Sequence, residues 1–431
     1  MSVDSDKVVI LGANGVMGGA AAAVFAGAGY SVVMLARDLG KARQGLLAAQ
    51  NAARAEAVAE RITLGSYDSD MAAAVAGADI IFEALAEELP LKREFFLKVD
   101  AVRRPDSMVA TNSSGLSIAG MAEGLSPSFR RNFLGIHLYN PPHIIVGAEL
   151  VPHAGTDDAV VERAKAVLAG RLGRKAIVTR DRPAFVGNRV GFRVMNEAAR
   201  LAEEHGVAFI DYLVGPHTGR AMAPLQTVDL VGWDVHKAIV DNVYANCPGD
   251  AARAHFAMPK YMEQGVAAGR LGDKTAEAGG FYRRAGGRVV EVLDPKTNSY
   301  QPFIPPRPIE FVERMKALNR VGRYHEAVAV LAGAHGAEAD LARRVILGYI
   351  SYALNLVGEV AGSPADVDTI MSYGFNWTPP CVLADLFGMK QAAAMFERYS
   401  LPTPPVVEKA CRDGVKLFNG GVLEYGRTFV G

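Results

Sequence analysis

The sequence predicts a doubly wound parallel α/β sheet in the N-terminal part of the chain and an all-α region after it. Short apolar runs alternate with helical segments up to about residue 183, which is the pattern of parallel strands joined by crossover helices. A glycine-rich turn follows the first apolar run, at a point where such sheets bind ligands. After Asp181-Arg182-Pro183 the apolar residues follow a helical period instead. We therefore expect one α/β domain over 1–183.

The beginning of the chain is typical of a Rossmann-like dinucleotide-binding unit. The run K-V-V-I-L leads into a turn that contains Gly12, Gly15 and Gly18, and an Ala-rich helical segment and the run S-V-V-M-L come next. Glycines let the backbone turn tightly and approach a pyrophosphate, which rests on the N–H groups of the helix N-terminus. The spacing G-x-x-G-x-x-G is one residue longer than the usual G-x-G-x-x-G, so we expect a turn of altered shape.

The end of the second strand leaves the choice between NAD and NADP open. An acid usually stands there to bind the ribose hydroxyls of NAD, but this chain has Ala36, followed by Arg37 and Asp38. Ala36 removes both the hydrogen bonds and the repulsion against a 2′-phosphate, and Arg37 could pair with that phosphate. Asp38 could instead bind the ribose, with Arg37 only solvated.

Polar side chains follow two further apolar runs. The sequence A-T-N-S-S-G ends one run and brings Ser114, and G-I-H-L-Y-N-P-P ends the next and brings His137. Glu149 stands twelve residues after His137, inside another short apolar run. A carboxylate that reaches an imidazole fixes its tautomer and raises its basicity, as a general base requires. The alternative is that His137 only caps a strand and that Glu149 is solvated.

Composition favours an ordinary globular protein of two or three domains. In 431 residues, 46 Lys and Arg balance 46 Asp and Glu, so charge gives no reason to expect nucleic acid or a membrane as a partner. Apolar runs are shorter than the roughly 18 residues that span a bilayer, and the polar N-terminus is unlike a secretory signal. Cys247, Cys381 and Cys411 lie far apart, which predicts neither disulfides nor a metal site. We expect a cytoplasmic protein.

The region after residue 183 predicts two helical domains, 184–300 and 309–431, joined by a proline-rich linker. Asn188 opens a long amphipathic segment, where an asparagine is as often a helix cap as a functional residue. Four residues of the first domain recur in the second with nearly constant spacing: Arg189, Glu204, Pro224 and Asp229 recur as Arg344, Glu359, Pro380 and Asp385. This predicts a duplication in which each copy buries its apolar face against the other. Arg343 matches Asn188, so only the first copy is equipped for chemistry.

Together these motifs resemble the L-3-hydroxyacyl-CoA dehydrogenase family over nearly the whole chain. The run H-L-Y-N-P at His137 is similar to the family's H-F-F-N-P, and Glu149 stands at the position of its partner acid. The family serine of S-N-T-S-S falls on Ser114, and the asparagine of G-F-I-V-N-R falls on Asn188. The resemblance is closest to the long bacterial forms with a duplicated C-terminal domain, found in multifunctional β-oxidation proteins, but without their enoyl-CoA hydratase domain.

The resemblance implies a role for each matching position. His137 would take the proton of a 3-hydroxyl group, Glu149 would orient the imidazole, and Ser114 and Asn188 would hold the hydroxyl and thioester oxygens. The other positions that match cofactor-binding residues of the family are Glu87, Lys92, Asn140 and Lys274.

The function that the resemblance implies is reversible oxidation of a 3-hydroxyacyl-CoA to the 3-ketoacyl-CoA with NAD or NADP, in fatty-acid β-oxidation. Two other interpretations stay open: another hydroxy-acid or sugar-acid dehydrogenase of the same superfamily, and a non-catalytic nucleotide-binding protein. Because related short forms pair their helical domains between two chains, the duplication implies a monomer with an internal pseudo-dimer, or a dimer through another surface.

Overall fold

The chain folds into two compact units, Met1–Phe185 and Val186–Gly431. They are seen in a computed structural model that describes residues 6–275 and 277–418. In this described part of the chain, no helix has both the length and the apolarity that crossing a membrane requires.

The first unit is built on one eight-stranded sheet with helices between the strands, as the alternation of apolar runs and helical segments predicted. Its strands are β1 (Lys7–Leu11), β2 (Ser31–Ala36), β3 (Ile62–Ser66), β4 (Ile80–Glu83), β5 (Met108–Thr111), β6 (Phe133–Leu138), β7 (Gly147–Pro152) and β8 (Lys175–Val178). Its α-helices are α1 (Val16–Gly27), α2 (Leu39–Ala53), α3 (Tyr67–Ala76), α4 (Leu89–Val102), α5 (Ile118–Ala122), α6 (Pro127–Arg131) and α7 (Asp158–Ala166).

The strand order is β3-β2-β1-β4-β5-β6-β7-β8, and neighbours among the first six strands are parallel, which confirms the predicted doubly wound sheet. The order reverses between β1 and β4, and ligands bind at the carboxyl ends of the strands beside such a reversal. β7 runs antiparallel to β6, and β8 is parallel to β7. The connection from β6 to β7, residues 139–146, is too short for the crossover that a parallel neighbour needs.

The central strands of the sheet, such as β4, β5 and β6, are buried on both faces, which explains why they read as continuous apolar runs rather than alternating ones. Successive side chains of a strand point to opposite faces. Accordingly, Val8 and Ile10 of β1 belong to one buried apolar cluster, whereas Val9 and Leu11 belong to the other. Helix α1 is rich in alanine because its small side chains let it lie close to the first of these faces.

The second unit is mainly helical. Its α-helices are α8 (Gly187–His205), α9 (Val207–Leu213), α10 (Pro224–Val231), α11 (Trp233–Asn246), α12 (Lys260–Ala267), α13 (Glu310–Arg320), α14 (Tyr324–Gly333), α15 (Ala337–Asn355), α16 (Pro364–Tyr373), α17 (Pro380–Phe387), α18 (Met389–Arg398) and α19 (Pro405–Asp413). Its strands are β9 (Tyr282–Ala285), β10 (Arg288–Asp294) and β11 (Ser299–Pro302).

The second unit also contains a small sheet, which the prediction of an all-α region did not include. The three strands are antiparallel in the order β11-β10-β9. Gly286 and Gly287, between β9 and β10, have φ values of 57° and 77°. Two consecutive residues with positive φ are what a tight hairpin requires, and glycine adopts them without steric strain.

Two short helices of the second unit each carry an aspartate that binds the backbone of a distant segment, and the first of these aspartates is fully buried. The carboxylate of Asp229, on α10, accepts hydrogen bonds from the N–H groups of Phe281 and Tyr282 and from the indole of Trp233. Asp385, on α17, accepts in the same way from two successive N–H groups near the end of the described chain. Both tryptophans of the protein, Trp233 and Trp377, lie in this unit and are buried.

Candidate active site

His137 and Glu149 form a buried hydrogen-bonded pair in the first unit. The antiparallel register of β6 and β7 places the two residues directly opposite each other. Nδ1 of the imidazole lies 2.9 Å from Oε2 of the carboxylate, and the two side chains are 4% and 0% exposed. Because a carboxylate can only accept, Nδ1 carries a proton, so a ring with one proton keeps the lone pair of Nε2 for a substrate.

Tyr139 is a third member of this group and was not predicted. Its hydroxyl donates a hydrogen bond of 2.6 Å to Oε2 of Glu149, and its ring centroid lies 4.6 Å from that of His137. Burial, and then the charge of Glu149, raise the pKa of this phenol well above its usual value. Tyr139 directly follows β6, and the alternation of side chains along a strand places it on the same face as His137, two residues earlier.

A second polar network lies at the carboxyl ends of β4 and β5. Glu83 and Lys92 form a fully buried ion pair with Nζ–Oε distances of 2.7 and 2.9 Å. The hydroxyl of Thr111 donates to the same carboxylate at 2.5 Å, and so does the N–H of Leu85. Lys92 lies in the first turn of α4, so the end of one strand fixes the start of the next helix. Glu83 was not predicted as a site residue, although the sequence shows an acid at the end of the apolar run I-I-F.

Glu87 connects this network to the loop that carries Ser114. Its carboxylate lies 3.4 Å from the ammonium of Lys92 and is 43% exposed. It accepts hydrogen bonds from the hydroxyl of Ser113 at 2.5 Å and from the N–H of Ser114 at 2.9 Å. The structure therefore brings together Glu87 and Lys92, predicted from one motif, and Ser114, predicted from another.

The loop after β5 is also tied to the strand that bears His137. Oδ1 of Asn112 accepts a hydrogen bond of 2.9 Å from the N–H of Leu138, the last residue of β6. Asn140, which follows, is exposed and precedes a cis peptide bond to Pro141. These contacts place the Ser114 loop and the His137 strand end side by side at one edge of the sheet.

The glycine turn after β1 fits a dinucleotide because side chains would not fit there. Gly12 has a φ of +82°, and an added Cβ would lie 2.3 Å from the carbonyl oxygen of Ala84. A Cβ on Gly18 would lie 2.2 Å from the carbonyl oxygen of Gly12, so the helix could not pack onto the turn. Gly15 is the N-cap of α1 and has no side chain with which to cap it. Backbone alone therefore lines this helix start, as a pyrophosphate requires.

Ala36, Arg37 and Asp38 end the neighbouring strand and begin α2. Ala36 is buried, whereas Arg37 and Asp38 are exposed. Asp38 is the N-cap of α2, and its Oδ1 accepts a hydrogen bond of 2.8 Å from the N–H of Lys41. This carboxylate is therefore engaged by its own helix, which weakens the alternative that Asp38 binds the ribose.

Two predicted residues belong to the second unit. Asn188 is buried in the first turn of α8, and the N-cap of that helix is Val186, so Asn188 is not the cap. Lys274 forms an ion pair of 2.8 Å with Asp234, and both side chains are about four-tenths exposed, at 41% and 44%. A role for either residue in a site stays a prediction.

A parallel sheet with a side-chain-free glycine turn at its switch point and a buried His–Glu pair defines the class of dinucleotide-dependent dehydrogenases. Comparison with known proteins identifies the family within this class. Residues 7–182 match the 3-hydroxyacyl-CoA dehydrogenase, NAD binding domain, and residues 185–284 match the C-terminal domain of the same family. The chain therefore belongs to the 3-hydroxyacyl-CoA dehydrogenase family, which confirms the predicted resemblance and NAD as the cofactor of the first unit.

Individual relatives agree with this assignment. A probable 3-hydroxyacyl-CoA dehydrogenase of Bacillus subtilis (strain 168) is 30% identical over 387 residues, which are 85% of this chain and 46% of that protein. This chain thus spans about half the length of that relative. A probable 3-hydroxyacyl-CoA dehydrogenase of Deinococcus radiodurans is 32% identical over 64% of this chain and 82% of its own. The 3-hydroxybutyryl-CoA dehydrogenase structure from Escherichia coli K12 shares the fold, with a TM-score of 0.72 at 20% identity, over 95% of this chain and 99% of that one.

The buried ion pair of Glu83 and Lys92 generates a stability prediction. Glu83→Gln should destabilise the protein by about 3–5 kcal/mol, because it leaves a buried ammonium without its closest counter-charge. Urea unfolding followed by far-ultraviolet circular dichroism measures the loss. The matched control is Glu88→Gln, at an exposed acid on the same loop. Equal stability of the two variants would show that the pair does not hold this edge of the sheet.

Proposed function

We propose that this protein catalyses the reversible oxidation of an L-3-hydroxyacyl-CoA to the 3-ketoacyl-CoA with NAD, as a step of fatty-acid β-oxidation. The buried pair of His137 and Glu149 is the observation that carries the proposal, because it provides a neutral base whose orientation is fixed. Family membership supplies the substrate class. The substrates and any partners of the whole protein are part of the proposal.

His137 acts as the base in this mechanism. Nε2 accepts the proton of the 3-hydroxyl group, and Glu149 stabilises the positive charge that the ring then acquires. Burial of both side chains strengthens that interaction, since little water screens it. NAD, when bound, would supply the acceptor for the hydride that leaves C3. In the reverse direction the imidazolium returns the proton to the carbonyl oxygen.

We assign the remaining predicted residues to binding. Ser114 and Asn188 hold the hydroxyl and thioester oxygens of the substrate. Glu87 and Asn140 would hold the nicotinamide end of the cofactor, and Lys274 would add a binding contact. Lys92 is almost fully buried between two carboxylates, so in this proposal it contributes mainly by positioning Glu87. Gly12, Gly15 and Gly18 hold the pyrophosphate.

We further propose that the second unit is a duplication of one helical domain, with copies at 184–300 and 309–431. The support is the matching use of Asp229 and Asp385, described above. The buried guanidinium of Arg189 reaches Glu359 at 2.8 Å and thus links residues of the two copies. A Cβ on Gly191 would lie 2.1 Å from the ring of Phe375, so the copies also pack closely.

The base assignment predicts a large loss of turnover. His137→Gln should reduce kcat for acetoacetyl-CoA reduction with NADH about 10²–10⁴-fold, because no group then transfers the proton. NADH binding, measured from its fluorescence, should be unchanged. His143→Gln, at an exposed histidine of the adjacent loop, is the matched control and should retain activity. Wild-type turnover in the His137 variant would refute the mechanism.

The end of β2 predicts that NADP is accepted as well as NAD. We propose that exposed Arg37 pairs with a 2′-phosphate that Ala36 does not repel. Arg37→Ala should lower kcat/KM for NADPH about tenfold, since a charge-assisted hydrogen bond is lost, and should leave that for NADH nearly unchanged. Arg54→Ala, at the far end of α2, is the control. An equal effect on both cofactors would contradict the proposal.

The duplication predicts the state of assembly. Because the second copy covers the apolar face of the first, we expect a monomer, or a dimer through another surface. Sedimentation equilibrium over a wide range of protein concentrations measures the mass. A dimer whose interface is formed by residues 184–300, mapped by hydrogen exchange, would show that the second copy does not replace a partner chain.

A further inference from the structure

Oε2 of Glu149 serves two donors at once. Nδ1 of His137 lies 2.9 Å from it, and the hydroxyl oxygen of Tyr139 lies 2.6 Å from the same atom. His137 lies on β6, Tyr139 directly follows that strand, and the carboxylate lies on β7. All three side chains are buried. In such surroundings a hydrogen bond to a charged acceptor is strong and sensitive to what else that acceptor binds.

The hydroxyl of Tyr139 competes with the imidazole for the charge of this carboxylate. A donated O–H bond draws electron density from Oε2, so less charge remains to stabilise an imidazolium beside it. The same bond also restrains rotation of the Glu149 carboxylate about its last torsion. Tyr139 therefore acts on both the basicity and the orientation of His137.

We propose that Tyr139 is a positioning residue that sets the pH range in which His137 works, through its hydrogen bond to Glu149. The inference rests on the proposed function. Tyr139 acts through Glu149 in both directions of the reaction and transfers no proton itself. Burial and the adjacent carboxylate keep the phenol protonated, since they raise its pKa well above the usual value.

Three uncharged residues of the first unit lie near this pair. The neighbouring strand β5 is followed by Asn112, whose amide binds the backbone of Leu138. Phe185 contributes a ring whose centroid lies 5.7 Å from that of His137. On the far side of β7, Ile177 of β8 is the register partner of Glu149. Two titratable groups contact His137 directly: Glu149 through a hydrogen bond and Tyr139 through its ring.

The test removes only the hydroxyl group, with Tyr139→Phe. In the variant the carboxylate is free to stabilise the imidazolium more strongly, so the imidazole should lose its proton at higher pH. The acidic limb of kcat/KM for hydroxyacyl-CoA oxidation should then move up by roughly 0.5–1 pH unit. The basic limb of acetoacetyl-CoA reduction should move up by the same amount, because that direction needs the imidazolium. KM should change less than kcat.

Tyr30→Phe is the matched control, since Tyr30 is a buried tyrosine of the same unit whose hydroxyl has no hydrogen-bond partner among the described residues. Its pH profile should superimpose on that of the wild type. A second test uses Glu149→Gln, in whose background the additional change Tyr139→Phe should no longer move either limb. Profiles of Tyr139→Phe that coincide with wild type, or that shift equally without Glu149, would overturn the proposal.

A measurement without turnover separates this inference from the proposed function. The imidazole of His137 can be titrated by nuclear magnetic resonance in the free protein, with His137→Gln used to assign its signal. The midpoint should rise in Tyr139→Phe and stay unchanged in Tyr30→Phe. An unchanged midpoint in Tyr139→Phe would refute the coupling even in an active dehydrogenase. A raised midpoint in a protein that does not act on acyl-CoA would refute only the proposed function.

Discussion

The register between β6 and β7 is the constraint on which the candidate site depends. A strand exposes alternate residues on opposite faces, so a slip of one residue would turn Glu149 away from His137 and toward the other apolar layer. Because both faces of the sheet are buried, such a slip would also bury a lone carboxylate. The packing of the core and the chemistry of the site therefore select the same register, and the short connection at 139–146 maintains it.

The carboxyl ends of β1 and β4 depend on two other features. The turn after β1 has to be free of side chains, and the buried charges after β4 have to be paired. Gly12 and Gly18 keep the turn after β1 free of side chains, and neither tolerates a Cβ in this packing. One strand away, Glu83 and Lys92 neutralise each other in the interior and hold the start of α4. Glu87 extends from this rigid base to the Ser114 loop, so a partly exposed carboxylate gains a fixed position from a buried one.

Much of this arrangement could be predicted from the sequence, because it follows from local patterns. Strand ends, the glycine turn and the pairing of His137 with Glu149 each had a motif of definite spacing. Tyr139 and Glu83 were missed because their roles arise from partners that only the folded sheet brings within hydrogen-bond distance. The antiparallel direction of β7 and the small sheet around Gly286 depend on connection geometry, which apolar periodicity does not encode. Asp38 shows the converse, since a residue considered as a ribose ligand also caps a helix, which the strand pattern alone does not reveal.

The positions of the two tryptophans make indole fluorescence specific to one of the two units. Both indoles, Trp233 and Trp377, belong to the second unit, and the dinucleotide-binding turn belongs to the first. Indole emission from the native chain therefore reports on the second unit, whereas the fluorescence of a bound reduced nicotinamide would report on the first. The measurement needs no attached dye. Replacing Trp377 alone would leave the emission of Trp233, at the start of α11.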